Sequence, residues 1–176
     1  MKLPESGGGG KRGGQRQGSQ AAFAKGVRTV KVRDVFTQGA ITVSPRASIS
    51  EARRLMEEHK IRRLPVVDGQ RVVGIITQMD LLRATPSVAT SLSIWEVNYL
   101  LDKVRVEEIM TRDVVTVTPD TDLSAAANLM KDRKIGGLPV VEDGRLVGVI
   151  TESDIFKALV RLLETQEAAA GVRADA

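Results

Sequence analysis

The sequence contains one pattern twice. Residues 32–83 align with residues 106–157 at an offset of 74 positions, without a gap and with 21 identities in 52 positions. The strongest match pairs Leu64–Val67 with Leu138–Val141 and Gly74–Thr77 with Gly148–Thr151. Two copies of this length do not suggest an open solenoid, in which several repeats must stack for stability. The duplication therefore predicts two similar half-domains that bury their apolar faces against each other.

The length of the chain favours one globular body with two tails. The chain has 176 residues, of which 42% are apolar and 27% charged, and a domain typically uses about 100 to 150 residues. A repeat of about 50 residues would leave much of its apolar surface in water, so we expect the two copies to share one core.

The residue types present exclude several kinds of chemistry. The chain has no cysteine, which excludes disulfides, thiolate zinc sites and cysteine nucleophiles. His59 is the single histidine, and its place beside Lys60 near the end of a predicted helix favours a solvated residue over a member of a catalytic triad. The residue types therefore exclude cysteine chemistry and argue against a catalytic triad, and we assign no catalytic and no metal-binding residue.

The apolar segments of the sequence are short. None approaches the roughly 20 residues that a membrane span needs, and the N-terminus lacks the apolar segment of a secretory signal. We therefore expect a cytoplasmic protein with no membrane partner.

The positive charge of the chain belongs to its N-terminal segment. The formal net charge is +4, and residues 1–26 carry five basic residues against Glu5, whereas the rest of the chain has 21 basic and 21 acidic residues. A neutral body binds a phosphate backbone poorly, which argues against nucleic acid as the partner. Eight glycines make residues 1–26 a predicted disordered tail. Its Lys11–Arg16 segment distantly resembles RNA-binding arginine–glycine segments, so an RNA-associated role through the tail is a weaker alternative.

Each copy predicts the order strand, helix, strand, strand, helix. After the start of the unit at Val32–Phe36, Ile41–Val43 is a short strand that ends at Ser44-Pro45. A helix follows, because Ser48 and Glu51 form a capping box and the next apolar residues lie on one helical face, with Asp122 as the cap of the second copy. The apolar stripes are Ile49, Ala52, Leu55 and Met56 in the first copy and Leu123, Ala126, Leu129 and Met130 in the second.

Two β-branched strands complete each copy. Leu64–Val67 and Val72–Ile76 flank Asp68-Gly69-Gln70, which is typical of a hairpin. The nearly continuous apolar runs Val72–Ile76 and Leu146–Ile150 indicate strands that are buried on both faces. The fold class is therefore α/β (α+β): two β-α-β-β-α motifs, related by a pseudo-two-fold axis, packed as one module.

The segment between the copies contains the only Trp and the only Tyr. Ser93 and Glu96 form a capping box that opens a helix to about Lys103. Trp95, Tyr99 and their apolar neighbours Leu92 and Leu100 either form an oligomer contact or cover the edge of the core, and the sequence leaves both alternatives open. The last helix begins near Thr151 and is expected to fray after Glu164.

The motif Gly-x-x-Thr-x-x-Asp, which occurs at Thr77/Asp80 and again at Thr151/Asp154, has two interpretations. A threonine followed by an acid three residues later can simply cap the helix that starts there. Alternatively, the free N–H groups of a helix start bind anions, the threonine hydroxyl meets a phosphate, and the aspartate accepts hydrogen bonds from ribose hydroxyls. The second interpretation predicts a cleft between the copies for a phosphate-bearing riboside.

The two copies differ immediately before their Leu-Pro-Val-Val segments. The first has Arg62 and Arg63, and the second has Gly136 and Gly137. Arginines near a cleft suit a phosphate, which they can bind through two hydrogen bonds.

These residues resemble the cystathionine β-synthase (CBS) domain in tandem, the arrangement called a Bateman module. The resemblance covers about residues 30–162 and rests on the two copies of Thr-Val-Ser/Thr-Pro, Leu-Pro-Val-Val and Gly-x-Ile-Thr-x-x-Asp. It implies a first motif at 30–84, a connecting segment at 85–104, a second motif at 105–163 and a flexible C-terminal tail at 164–176. The connecting residues 89–101 are similar to the linker of CBS pairs in acetoin-utilisation accessory proteins.

The resemblance implies a regulatory module without enzymatic activity that binds AMP, ADP, ATP or S-adenosylmethionine and needs no cofactor. Arg62 to Val66 is similar to a His-Arg-Leu-Pro-Val segment that contacts phosphates in the family, and Gly136-Gly137 departs from it. The resemblance also implies a homodimer. A structural CBS pair that mediates protein association without a ligand is the alternative. The implied ligand residues are Thr42, Arg62, Arg63, Thr77, Asp80, Thr116, Thr151 and Asp154.

Overall fold

The structure, a computed structural model, describes residues 29–85 and 93–174. The predicted tail at 1–26 and Leu92 lie outside these ranges. The chain contains both helices and strands, which confirms the predicted α/β (α+β) class. In chain order the elements are a 3-10 turn (Val32–Asp34), β1 (Thr37–Gln38), α1 (Ile49–Glu58), β2 (Arg63–Asp68), β3 (Arg71–Thr77), α2 (Gln78–Ala84), α3 (Ile94–Lys103), α4 (Val106–Ile109), α5 (Leu123–Arg133), β4 (Gly137–Glu142), β5 (Arg145–Thr151) and α6 (Glu152–Ala174).

Each copy forms the predicted antiparallel hairpin. Strand β2 pairs with β3 and β4 with β5, and both pairs shift register at the same point, after Val66 and after Val140. Gly69 has a φ of 64° in the first turn, and in the second turn Asp143 and Gly144 take φ values of 49° and 77°. Positive φ favours glycine, which explains the Asp-Gly pair at each turn.

Strands β3 and β5 are completely buried on one face only. In β5, Gly148 and Ile150 are buried, whereas Val147, Val149 and Thr151 are half-buried. The prediction of burial on both faces is therefore wrong. The half-buried face borders open space, because Val149 and Thr151 line a cleft between the two halves.

The apolar residues form two clusters, one in each half. The first cluster lies between residues 41 and 110 and contains Leu64, Val66 and Ile76, and the second combines residues 30–36 with residues 115–158. The predicted helical stripes supply both clusters: α1 buries Ile49, Ala52 and Met56, and α5 buries Leu123, Ala126 and Met130.

The segment that begins each repeat packs on the other repeat. We call residues 29–39 the first leader and residues 104–111 the second leader. In the first leader the Val32 N–H donates to Thr121 O (2.9 Å), and in the second the Val106 N–H donates to Ala47 O (2.9 Å). Strand β1 of the first leader pairs with β5, while Thr111 of the second bridges to Ile75 in β3. The two repeats therefore exchange their first segments.

The predicted strand Ile41–Val43 is a single bridge. Val43 pairs in parallel with Val66, donating to Pro65 O (3.1 Å) and accepting from Val67 N (3.0 Å). Extension toward Ile41 would require an N–H at Pro65, which proline lacks. Val117 repeats this arrangement with Pro139 and Val141 in the second half.

The two copies begin their first helices differently. Ser48 Oγ accepts from Glu51 N (3.2 Å), which confirms the predicted cap of α1. Asp122 occupies the capping position of α5, but its side chain makes no cap hydrogen bond. It accepts instead from Lys31 Nζ at 2.6 Å. The predicted cap is therefore replaced by an ion pair between the first leader and the second half.

Helix α3 begins at its predicted capping box. Glu96 Oε2 accepts hydrogen bonds from Ser93 Oγ (2.7 Å) and Ser93 N (2.8 Å), and these bonds lower the pKa of Glu96. Leu101 is buried against the first cluster, whereas Trp95 and Tyr99 are exposed, at 81% and 62%. The aromatic residues therefore do not cover the edge of this core.

The last helix is longer than the sequence predicts. Helix α6 continues to Ala174, so the prediction that it frays after Glu164 is wrong. Residues 164–174 are rich in Ala, Glu and Gln, which have high helix propensity and can continue a helix without core contacts. Within the described residues, no helix is both long and apolar enough to span a membrane.

Candidate functional site

A cleft of about 410 Å³ lies between the two halves. The first repeat contributes the end of its leader and the turn that precedes β2, and the second contributes the end of β5 and the first turn of α6. The lining residues are Thr37, Gly39, Ala40, Ile41, Lys60, Ile61, Arg62, Arg63, Pro65, Gly136, Val149, Thr151, Glu152, Ser153, Asp154 and Lys157.

The start of α6 holds a carboxylate at the edge of this cleft. Asp154 is 7% exposed and is the buried charged residue of the described part of the chain. Its Oδ2 accepts from Thr151 Oγ1 (2.7 Å) and Thr151 N (2.9 Å), and its Oδ1 lies 3.6 Å from Lys157 Nζ. Thr151 therefore fixes one oxygen of Asp154, and Ser153 adds a second hydroxyl to the same helical turn.

Arg62 and Arg63 reach this cleft from the first repeat, at the start of β2. Arg63 is half-buried, and burial together with the charge of Arg62 lowers its pKa, while Glu152 acts in the opposite direction. Guanidinium groups titrate far above neutral pH, so Arg63 is expected to remain charged. The cleft thus combines a permanent cation of one repeat with the buried carboxylate of the other.

The glycines of the second repeat make room for Arg63. A Cβ atom on Gly136 would lie 2.6 Å from Arg63 Nη2 and 2.8 Å from Glu152 Oε2, and a Cβ atom on Gly137 would lie 2.8 Å from Arg63 Nη1. These distances are shorter than van der Waals contact. The Arg-Arg and Gly-Gly segments, which occupy equivalent positions in the two repeats, are therefore sterically complementary across the interface.

The charge around the cleft is predominantly positive. Four cationic side chains, Lys60, Arg62, Arg63 and Lys157, face two carboxylates, Glu152 and Asp154. A partly enclosed site with this balance favours an anionic ligand.

The sequence-based prediction did not include Lys60, Glu152, Lys157 or residues 39–41, which lie at the end of the first leader and directly after it. Lys157 follows Asp154 by one helical turn, so its proximity was readable from the sequence. The leader could not be placed, because its pattern is the same whether it packs on its own repeat or on the other.

The structure brings together four of the eight predicted ligand residues: Arg62, Arg63, Thr151 and Asp154. Thr77 and Asp80 form the same hydrogen bonds at the start of α2, with Thr77 Oγ1 and N at 2.7 and 2.8 Å from Asp80 Oδ2. They do not line this cleft, and neither do Thr42 and Thr116. The ligand roles of these four residues stay predictions.

Comparison with known proteins assigns the family. The model of the CBS domain matches residues 32–87 and again residues 106–161. The chain belongs to the CBS domain family. One curated relative of this CBS pair is inosine-5'-monophosphate dehydrogenase of Korarchaeum cryptofilum, which is 40% identical over 143 residues. That match covers 81% of the chain but 26% of the dehydrogenase, so the chain spans about a quarter of that relative's length.

Solved structures share the fold of the whole pair. A structure from Vibrio cholerae named for acetoin utilization (AcuB) is 36% identical, with a TM-score of 0.67 over 80% of this chain and 98% of that one. The CBS pair of MJ0100, in complex with 5'-methylthioadenosine and S-adenosyl-L-methionine, is 34% identical, with a TM-score of 0.62 over 75% and 97% of the two chains. CBSX2 in complex with AMP is 30% identical, with a TM-score of 0.64 over 74% and 97%.

Proposed function

We propose that this CBS pair is a regulatory module, without enzymatic activity of its own, that binds an adenine nucleotide in the cleft between its repeats. Candidate ligands are AMP, ADP, ATP and S-adenosylmethionine. Related CBS pairs are in complex with AMP or with S-adenosyl-L-methionine. The observation that carries the proposal is Asp154, a buried carboxylate beside a cleft whose other charged groups are mainly cations.

Each part of an adenine nucleotide has a matching group in the cleft. The carboxylate of Asp154 can accept hydrogen bonds from ribose hydroxyls, as charged acceptors do strongly. Arg62, Arg63 and the hydroxyl of Ser153 are donors for a phosphate. Ile41 and Val149 provide apolar surface against which a base can lie.

Isothermal titration calorimetry with AMP, ADP, ATP and S-adenosylmethionine tests the proposal. We expect saturable binding of at least one of these ligands, with competition between them for the cleft. Guanosine and cytidine monophosphates serve as controls for the base. Absence of binding by all four adenosyl ligands would contradict the proposal.

A specific observation favours protein association as a second candidate function. Helix α6 exposes Phe156, Leu159, Val160 and Leu163, with Phe156 at 65%. Contiguous exposed apolar surface is typical of association sites, and it agrees with the homodimer implied by the family resemblance. Sedimentation velocity of the wild-type chain and of Phe156→Ser tests this candidate, which predicts that the variant shifts toward the monomer.

A further inference from the structure

A second cavity, of about 530 Å³, lies beside the cleft, between helices α1 and α2. Lys60, Ile61 and Arg62 line both cavities. The two cavities are therefore neighbours that share these three residues.

The second cavity carries positive charge from both helical and turn residues. Arg53 on α1 joins Lys60 and Arg62, and Glu57 is the one carboxylate among its lining residues. Among the described residues, no carboxylate forms an ion pair with Arg53, Lys60 or Arg62. Arg53 Nη2 donates instead to the hydroxyl of Thr85 at 2.9 Å, which leaves its charge without an anionic partner.

The second repeat shows that the fold does not require these arginines. At an offset of 74, Arg53 corresponds to Ala127 and Arg62 to Gly136. Helix α5 nevertheless packs on its hairpin as α1 does, through Leu123, Ala126 and Met130. The positive charge at positions 53 and 62 is therefore an addition of the first repeat to a shared scaffold.

We propose that the second cavity binds the outer phosphates of a nucleoside diphosphate or triphosphate whose adenosine occupies the cleft. This inference rests on the proposed function. The first phosphate lies near Arg62 and Arg63, the chain of phosphates crosses Lys60, and Arg53 binds its end in place of the Thr85 hydroxyl. Arginine suits this role because its guanidinium group is always charged and can form two parallel hydrogen bonds with a phosphate. The cleft alone accounts for a monophosphate, and the second cavity extends its specificity to ADP and ATP.

The test compares AMP and ATP with the full chain, by calorimetry in the absence of divalent cations. Arg53→Ala installs the residue that the second repeat has at this position. The matched control is Arg54→Ala, which removes the same charge from the exposed face of α1, where Arg54 pairs with Glu58 at 2.8 Å. We expect the wild-type chain to bind ATP more tightly than AMP. Arg53→Ala should lower the affinity for ATP about tenfold and the affinity for AMP by less than about twofold, as expected for the loss of one charge-assisted contact. Arg54→Ala should change neither.

Each outcome decides between the two proposals. Three results would overturn the extended site without contradicting nucleotide binding in the cleft. They are equal affinities of the wild-type chain for AMP and ATP, an unchanged affinity of Arg53→Ala for ATP, and equal losses of affinity for both ligands in that variant. If no adenine nucleotide binds the wild-type chain, the proposed function itself is wrong, and the extension fails with it. Thermal unfolding of Arg53→Ala confirms that the variant is folded.

Discussion

The starts of helices α2 and α6 have the same internal geometry and different surroundings. In both, a threonine hydroxyl and N–H lie within 2.9 Å of an aspartate oxygen three residues later. Asp154 is buried beside a cleft that receives Arg62 and Arg63, whereas the residues equivalent to these arginines are glycines at the other position. The comparison teaches that the capping motif forms the helix start, whereas residues of the opposite repeat determine which charged groups surround it.

The largest difference between the halves should follow from adding a methyl group to equivalent glycines. A Cβ atom on Gly148 would lie 2.2 Å from the carbonyl oxygen of Thr37 and 2.6 Å from the ring of Phe36, whereas on Gly74 it would meet the flexible side chain of Met110. We expect Gly148→Ala to lower the free energy of unfolding by about 3 kcal/mol and Gly74→Ala by about 1 kcal/mol, since overpacking costs most where the neighbour cannot move. Urea unfolding of both variants measures the difference. Equal losses would show that the two leaders tolerate displacement equally.

The second largest effect is a difference in AMP affinity between variants of Asp154 and Asp80. Asp154→Ala removes charge-assisted hydrogen bonds worth about 1.5 to 3 kcal/mol, so the affinity for AMP in the cleft should fall about tenfold to a hundredfold. Asp80→Ala is the matched control, because it removes the same helix cap without touching this cleft. Calorimetric titration of AMP into both variants checks the prediction. A loss of AMP affinity in Asp80→Ala as large as that in Asp154→Ala would place the ligand elsewhere.

The next effect concerns the two arginines that distinguish the repeats. Replacement of Arg62 and Arg63 together by alanine should lower the affinity for AMP about tenfold and leave the affinity for adenosine almost unchanged, because adenosine has no phosphate that these arginines could bind. Competition titrations with adenosine and AMP measure the ratio. A similar loss for both ligands would show that the arginines act through the packing of Arg63 on Gly136 and Gly137.

The smallest expected effect is the contribution to stability of the ion pair between Lys31 and Asp122, which replaces a helix cap. Lys31 and Asp122 are both partly exposed, so their coupling should contribute no more than about 1 kcal/mol to stability and should decrease with salt. A double-mutant cycle with Lys31→Ala and Asp122→Ala measures it. The cap of α1 gives the reference, since Ser48→Ala should cost about 1 kcal/mol at any ionic strength.

The repeat made most of the fold predictable. Local patterns fixed the hairpins, the buried stripes of α1 and α5, and the capping boxes, because these depend on residues close in sequence. The Gly-x-x-Thr-x-x-Asp motif also identified Thr151 and Asp154 as candidate ligand residues. The Arg62-Arg63 pair identified two of the cations that line the same cleft.

What the sequence could not predict depends on partners that are distant in the chain. Asp122 is a residue type that commonly caps helices, but its carboxylate forms an ion pair with Lys31 instead. The strand at Ile41–Val43 is limited by the missing N–H of Pro65 on its neighbour, which no pattern within the strand reveals. The combination of Arg63 with Thr151 and Asp154 needs the arrangement of the two repeats, because one copy supplies the cations and the other the carboxylate.

The exchange of leaders has a consequence for the order in which the protein can mature. The first apolar cluster is drawn from the continuous stretch 41–110, so it is complete as soon as that stretch has left the ribosome. The second needs Val32 and Phe36, which precede the first cluster in the chain, and also residues as far as Ala158. The first leader is therefore synthesised before the first repeat but can pack only after the second repeat has followed, and the cleft between the repeats, which residues 39–41 help to enclose, is complete only then.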